Sequence, residues 1–204
     1  MDSGNLLVIA IGAIFINNFV LARFLGICPY VGVSKKIDSA MGMGMAVIFV
    51  MTMASFVTWI IFTYLLNPAT NIFSVNIPVD LTFLRTIAFI LVIAVLVQLV
   101  EMVIQKASPN LYQSLGIYLP LITTNCAILG VAVLNIDKEY SLVQSIVHGF
   151  SAGIGFTLAL VLMAGLRERF ETSEIPESMR GLPITFIMAG LMSIAFLGFS
   201  GLKL

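Results

Sequence analysis

Six apolar runs, each about as long as a lipid bilayer is thick, fill most of this chain: Leu6 to Leu25, Ala40 to Leu66, Leu81 to Ile104, Leu111 to Leu134, Leu142 to Leu166 and Leu182 to Phe199. A helix rising 1.5 Å per residue needs about 20 apolar residues to cross the hydrocarbon core. The connectors are a Gly/Lys stretch (Gly32 to Asp38), a longer Asn/Pro loop (Asn67 to Asp80), two tight turns (Lys106 to Asn110, Asn135 to Tyr140) and a charged loop from Arg167 to Gly181. None has room for a soluble domain. The expected fold is an all-α integral membrane protein, a single membrane domain over residues 1–204 with six transmembrane helices.

Composition excludes the alternatives. With 60% hydrophobic residues, 10% charged residues and a mean hydropathy of +1.10, the chain cannot present the surface of a soluble domain, about a quarter of whose residues are charged. Ten Lys and Arg balance ten Asp and Glu, so no basic face is offered to nucleic acid, and the expected partners are other membrane proteins. The N-terminus carries an acid and no basic segment, and no small-residue cleavage site ends the first run, which reads as a retained span. Both cysteines fall in or beside apolar segments, so their number says little about redox compartment.

Cys28 and Cys126 each open the same phrase, Cys-x-x-x-Gly-Val, ending at Val33 and Val131. They lie 98 residues apart, and the same offset carries the second and third spans almost onto the fifth and sixth. The chain therefore reads as two three-helix repeats, residues 1–104 and 105–204. Three spans per copy is odd, so the second copy enters the bilayer inverted, and residues near the resulting in-plane axis meet near mid-membrane. Lys35, Lys36, Lys106, Arg167, Arg169 and Arg180 fall on one side, with Arg23 nearby, whereas Lys138, Lys203 and Arg85 fall on the other. The excess marks the cytoplasmic face and puts both termini outside it.

The first and fourth spans are expected to be broken. One contains Asn17 and Asn18 and closes with Gly26, Cys28 and Pro29; the other holds Pro120, Thr123, Thr124 and Asn125 just before Cys126. Backbone groups freed by a break cost several kcal/mol in hydrocarbon unless buried in protein with polar partners, and Asn and Thr are suitable partners. The plainer alternative is that these residues only glue helices together. Depth also demands a break: Cys28 lies about 22 residues into its span and Cys126 about 15, different heights on continuous helices.

A lone membrane cysteine is usually a small hydrophobe. Placement at repeat-equivalent positions favours a ligand instead, and thiolates suit zinc, copper or iron–sulfur centres. Iron–sulfur clusters generally take four, and this chain offers two cysteines and one histidine, so a metal centre needs another polypeptide to complete it. Glu101 and Arg85 lie roughly 24 Å apart along one helix and cannot pair there; each faces a cavity or reaches the interface. His148 is either a satisfied packing histidine or a proton relay. Met41 to Met45, and Gly149, Gly153 and Gly155, fall in the second and fifth spans and read as close-packing positions. No phosphate loop, HExxH or Ser/His/Asp set is present, so a hydrolase has no support and no residue reads as catalytic.

Asn17-Asn18-Phe19-Val20-Leu21, Phe24-Leu25-Gly26-Ile27-Cys28-Pro29, Val33-Ser34-Lys35-Lys36, Leu119 through Ala127 and Ala189-Gly190-Leu191-Met192 resemble the RnfA/NqrE family of membrane subunits over nearly the whole chain. The Asn-Asn pair and Cys-Pro step are more similar to the Rnf branch than to the sodium-pumping NADH:quinone reductase branch. The resemblance implies an Rnf complex of a bacterial or archaeal cytoplasmic membrane, coupling electron transfer between ferredoxin and NAD to Na⁺ or H⁺ translocation. It implies a homologous partner, the Rnf E-type subunit, inserted in the opposite orientation, with a 2Fe-2S cluster held between the two. The chain's share of the ligands would be Cys28 and Cys126, iron ligands completed by two cysteines of the partner. The cluster would relay electrons towards flavin-carrying subunits G and D, with B and C peripheral. On this resemblance the chain is a non-autonomous member of a translocating oxidoreductase, with no complete active site of its own. The rivals are an NqrE-type subunit, an inverted-repeat secondary transporter using the polar residues at the breaks, and a structural scaffold with replaceable cysteines.

Overall fold

The computed structural model describes residues 3–66, 85–107, 120–171 and 176–201, and among these every regular element is helical. In chain order they are α1 (Ser3–Ile11), continued by a π turn over Gly12–Ile16; α2 (Ile27–Val33); α3 (Ile37–Ile61), continued by a π turn over Phe62–Leu66; α4 (Arg85–Ala107); α5 (Pro120–Thr123); α6 (Cys126–Asp137); α7 (Leu142–Glu171); and α8 (Leu182–Leu197). The Asn/Pro loop expected over 67–80, and the start of the fourth span, lie outside the described residues.

Among the described residues, three stretches are long and apolar enough to cross a membrane: Ile37–Tyr64, Arg85–Val103 and Leu142–Phe170. Three shorter apolar helices, Leu6–Ile16, Leu121–Asp137 and Leu182–Leu197, accompany them. The last run is helical throughout, α-helical over Leu182–Leu197 and continued by a 3-10 turn over Gly198–Gly201, and the first and fourth are interrupted, as their polar residues imply. The charged connector is shorter than expected, because α7 continues to Glu171 and makes Arg167 and Arg169 helical. Arg and Glu are good helix formers, and a cation in the last turn complements the helix dipole.

The core is built around the antiparallel pair α3 and α7, the most extensive helix contact among the described residues. Gly44 faces Thr157, Gly153 faces Ile48, and Gly149 faces Met51 and Ser55. A Cβ on Gly153 would lie 2.7 Å from the Ile48 Cα, so the two backbones approach as only glycine permits. Met43 is fully buried in this seam while Met41 and Met45 point outward, which resolves the Met-Gly-Met-Gly-Met stretch as one inner and one outer helix face. Gly155, on another side of α7, admits the π turn of α1: its Cβ would sit 3.1 Å from the Ala13 carbonyl oxygen and the Ile14 Cα. Helix α4 lies against α3 and α6 and buries Phe89, Ile93 and Val97, three residues spaced four apart on one face. Large apolar side chains on the opposite faces of α3, α4 and α8 are exposed, the surface expected of a chain surrounded by hydrocarbon or other membrane proteins.

Charge separates the two ends. At one, Arg167 donates from Nη1 to the Val31 carbonyl (2.8 Å) and to Ser34 Oγ (3.0 Å), and the Ile37 N–H donates to Glu168 Oε1 (2.9 Å), so the Lys35–Lys36 connector and the end of α7 are tied together. Arg180 shares a cleft with Arg167 at this end. At the other, Trp59 Nε1 donates to the Tyr140 carbonyl (2.9 Å) and Arg85 pairs with Asp137 (2.9 Å). Since α4 starts at Arg85 and runs back, Lys106 returns to the arginine-rich end. Arg23 departs from the expectation. Its guanidinium lies over the Phe19 ring, which abuts His148, so it sits toward the Tyr140 end and away from the Lys35–Arg167 cluster. The break sends the chain back on itself between Asn17 and Gly26, which a continuous helix would not do.

Candidate functional site

Backbone amides and carbonyls released at the first break are collected by one side chain. Asn18 is completely buried; its Nδ2 donates to the Ile14 carbonyl (3.1 Å) and, across the fold, to the Gly155 carbonyl (2.8 Å). Its Oδ1 accepts from the Val20 (3.0 Å) and Leu21 (3.3 Å) amides. Those two amides follow the π turn and have no helical partner to turn to, so the asparagine replaces a turn of helix. The chain then folds tightly, with the Leu25 amide returning to the Phe19 carbonyl (2.8 Å), Phe24 at a positive φ of 56° and Gly26 at 80°. The left-handed Gly26 redirects the backbone, and α2 starts at Ile27.

The second break is shorter. Asn125 is the N-cap of α6, its Oδ1 accepting from the Ala127 amide (3.0 Å), and Cys126 is the first residue of that helix. Asn125 is buried, Thr123 half-buried, and Thr124 and Asn17 exposed, so of the five polar residues expected at the breaks two stand inside.

The two breaks touch. A Cβ on Gly26 would lie 2.8 Å from Asn125 Oδ1, 2.8 Å from Phe156 Cε2 and 3.1 Å from the Ala127 Cβ, so the left-handed glycine of one break is seated on the helix cap of the other. Phe156 is the midpoint of the Leu142–Phe170 stretch, which places this junction at mid-span. Nearby, Leu25 fills the space over Gly130, at 2.8 Å from where a Cβ would be, and that gives the glycine of the second Cys-x-x-x-Gly-Val phrase its purpose. Cys28 is two residues from the junction and Cys126 is one residue from it. Both thiols are free and exposed at the surface of the chain, and the Cys126 Sγ has the Thr124 carbonyl at 3.9 Å. Among the described residues no group of three or more His, Cys, Asp or Glu side chains is gathered as a metal site.

Two thiols, both free, exposed and carried beside one junction, are donors of the type that soft metal centres take, and alone they fall short of a four-ligand set. Cys126 opens a 12-residue helix whose positive end suits an anionic ligand. The remaining ionisable candidates are placed elsewhere. His148 is buried, its Nδ1 2.6 Å from Asn135 Oδ1 and its ring edge-on to Phe19 and Tyr140, a packed and hydrogen-bonded histidine. Arg85 is held in its ion pair with Asp137. Glu101 is half-buried, one helical repeat beyond Val97 on the inward stripe of α4. The repeat offset brings the two breaks toward a common axis, but the particular contact of Gly26 with Asn125 is not specified by any local pattern.

A family model described as "Rnf-Nqr subunit, membrane protein" matches residues 6–203. The chain belongs to the Rnf-Nqr family of membrane subunits. It is 58% identical over 199 residues, 98% of each chain, to the A subunit of the Na(+)-translocating ferredoxin:NAD(+) oxidoreductase complex of Acetobacterium woodii. It is 60% identical over 198 residues, 97% of each chain, to the A subunit of the ion-translocating oxidoreductase complex of Syntrophotalea carbinolica. A third Rnf-Nqr relative, the protein of the same name in Citrobacter koseri, is 56% identical over 196 residues, 96% of each chain. Membership confirms the expected family and, with the apolar helices, a membrane protein.

Proposed function

We propose that this chain is the A-type membrane subunit of an ion-translocating ferredoxin:NAD oxidoreductase, and that Cys28 and Cys126 supply two of the four ligands of a 2Fe-2S cluster shared with a homologous E-type subunit. The observation that carries this is the seating of Gly26 on Asn125 at the level of Phe156, with both cysteines beside the contact and both thiols exposed. The relatives' names support the complex. When bound, such a cluster supplies a one-electron carrier part-way through an insulating layer about 30 Å thick. The chain's own residues provide the frame: Asn18 pairs the freed amides, Asn125 caps the helix that presents Cys126, and Gly26 turns the backbone that presents Cys28.

Two features support six spans arranged as inverted repeats over residues 1–104 and 105–204. Helices restart at Ile27 and at Cys126, each within a residue of its cysteine, and the antiparallel α3 and α7 are the repeat-equivalent helices at the centre. The arginine-rich end is assigned to the cytoplasm of a bacterial or archaeal cell, so both termini face out. Subunits G and D, carrying flavins, and the peripheral B and C complete the assembly in this proposal.

Cys28→Ser and Cys126→Ser, each made separately in the purified complex, test it. Iron content and the visible and paramagnetic cluster signals are expected to fall by the share of one 2Fe-2S centre, while the chain remains inserted and associated. A full complement of iron and signal in either variant overturns the ligand assignment.

A further inference from the structure

The arginine-rich end contains a cleft that the cysteine site does not use. It lies between the C-terminal end of α7 and the start of α8, with a volume of about 400 Å³, and is lined by Arg167 and Arg180, by Gly181, and by Phe170, Ile184 and Met188. Two guanidinium groups stand over an apolar floor, and the lining holds no carboxylate among the described residues.

Arg167 is fixed in place. Its bonds to the Val31 carbonyl and Ser34 Oγ anchor the guanidinium across the α2–α3 connector, so its charge is positioned before anything binds. Arg180 is exposed on the other side. Gly181, at φ 96°, is the N-cap of α8 and provides no side-chain cap, while the nearest hydroxyl, Thr185 Oγ1, is turned back to the Gly181 carbonyl (2.8 Å). The N-terminal end of α8, whose Pro183 carries no N–H, therefore brings a positive helix end to the same cleft through Gly181 and Ile184, which line it. Phe170 of α7 and Ile184 and Met188 of α8 form the apolar part of the lining. Two cations beside an apolar lining at the end of apolar helices match a molecule having an anionic head and a hydrocarbon tail. Basic pockets between membrane helices recognise phosphate head groups in this way, and arginine engages phosphate oxygens through paired N–H donors.

We propose that this cleft binds the phosphate head group of an anionic membrane lipid between Arg167 and Arg180, with an acyl chain lying over Phe170, Ile184 and Met188. The site is independent of the cysteine pair and of the electron-transfer reading.

The test uses the complete complex purified in detergent and stripped of loosely bound lipid. Thermal unfolding is followed while phosphatidylglycerol, phosphatidylcholine or sodium phosphate is added, for the natural protein and for Arg180→Gln. Phosphatidylglycerol is expected to raise the unfolding temperature where phosphatidylcholine does not, with an apparent affinity about fivefold weaker in Arg180→Gln, the contribution of roughly one interfacial basic residue. Ile184→Asn, which leaves both arginines in place, is expected to weaken the lipid effect by obstructing the tail. Equal shifts from the two lipids overturn the proposal, as does an Arg180→Gln complex that binds phosphatidylglycerol as the natural one does. The same shift from sodium phosphate alone overturns the lipid assignment in favour of a free-anion site. Absence of any lipid effect in the assembled complex also overturns it, because a neighbouring protein then covers the cleft.

Discussion

Replacing Gly26 with alanine adds one methyl group at the most crowded point of the candidate site. The residue sits at φ 80°, where an L-side chain costs about 1–2 kcal/mol. The added carbon would also stand 2.8 Å from Asn125 Oδ1 and 2.8 Å from the Phe156 ring, and overpacking of that kind costs about 1–3 kcal/mol. Together these give about 2–5 kcal/mol, a large part of the roughly 5–15 kcal/mol that holds a typical domain. Relief requires the two breaks to part, and the atom displaced first is the oxygen that caps α6 at the Ala127 amide. Both cysteines remain in Gly26→Ala, so a loss of iron reports their separation and not a missing ligand. The assay is iron per complex together with the thermal unfolding midpoint, beside Gly165→Ala, where a Cβ meets nothing within 4 Å and alanine is the better helix former. Gly26→Ala is expected to lower both quantities and Gly165→Ala neither. A Gly26→Ala complex with full iron and an unchanged midpoint refutes the contact between the breaks.

Asn18→Ala leaves the Val20 and Leu21 amides without an acceptor in the interior and is expected to destabilise the chain by about 2–6 kcal/mol, at about 1–3 kcal/mol per buried orphan, seen as reduced membrane yield and a lower unfolding midpoint; a midpoint within experimental error of the natural protein's contradicts the role given to that side chain. Arg85→Gln removes an ion pair whose side chains are 22% and 49% exposed, so screening limits the loss to about 1 kcal/mol or less, and that loss is expected to shrink further at high salt. An Arg85→Gln chain that fails to insert would show that the pair does more than join the ends of α4 and α6.

Much of the fold is legible in the sequence, and for a physical reason. A backbone amide in an apolar interior must find an acceptor, so asparagines and threonines amid apolar residues mark the breaks, and Asn18 and Asn125 accept the amides that the breaks release. Glycines in the second and fifth spans read as close-packing positions, since the absence of a Cβ has little other use in a helix interior, and Gly44, Gly149 and Gly153 line that seam. His148 reads as a choice between packing and a relay, and the structure places it buried, with its Nδ1 on Asn135 Oδ1. The position of Arg23 is misread for a different reason: counting along the chain assigns a side, and counting fails where the chain doubles back. The duplicated Cys-x-x-x-Gly-Val phrase suggests that the two breaks approach one another, but not which atoms touch: that Gly26 rests on Asn125 depends on how the two halves stack and not on any local preference. Charged residues suggest an end to the fifth span near Leu166, yet a helix readily extends past the apolar layer into water, and α7 does so as far as Glu171.

The contact between the breaks also orders events during biosynthesis. The turn that presents Cys28 is walled by Asn125, Ala127 and Phe156, all made long after it. A ribosome that has released only the first three spans has produced a thiol with no enclosure. If the two sulfurs share one ligand, as proposed, that ligand has to arrive after Asn125 and Phe156 are in place, so loading would follow insertion of both breaks.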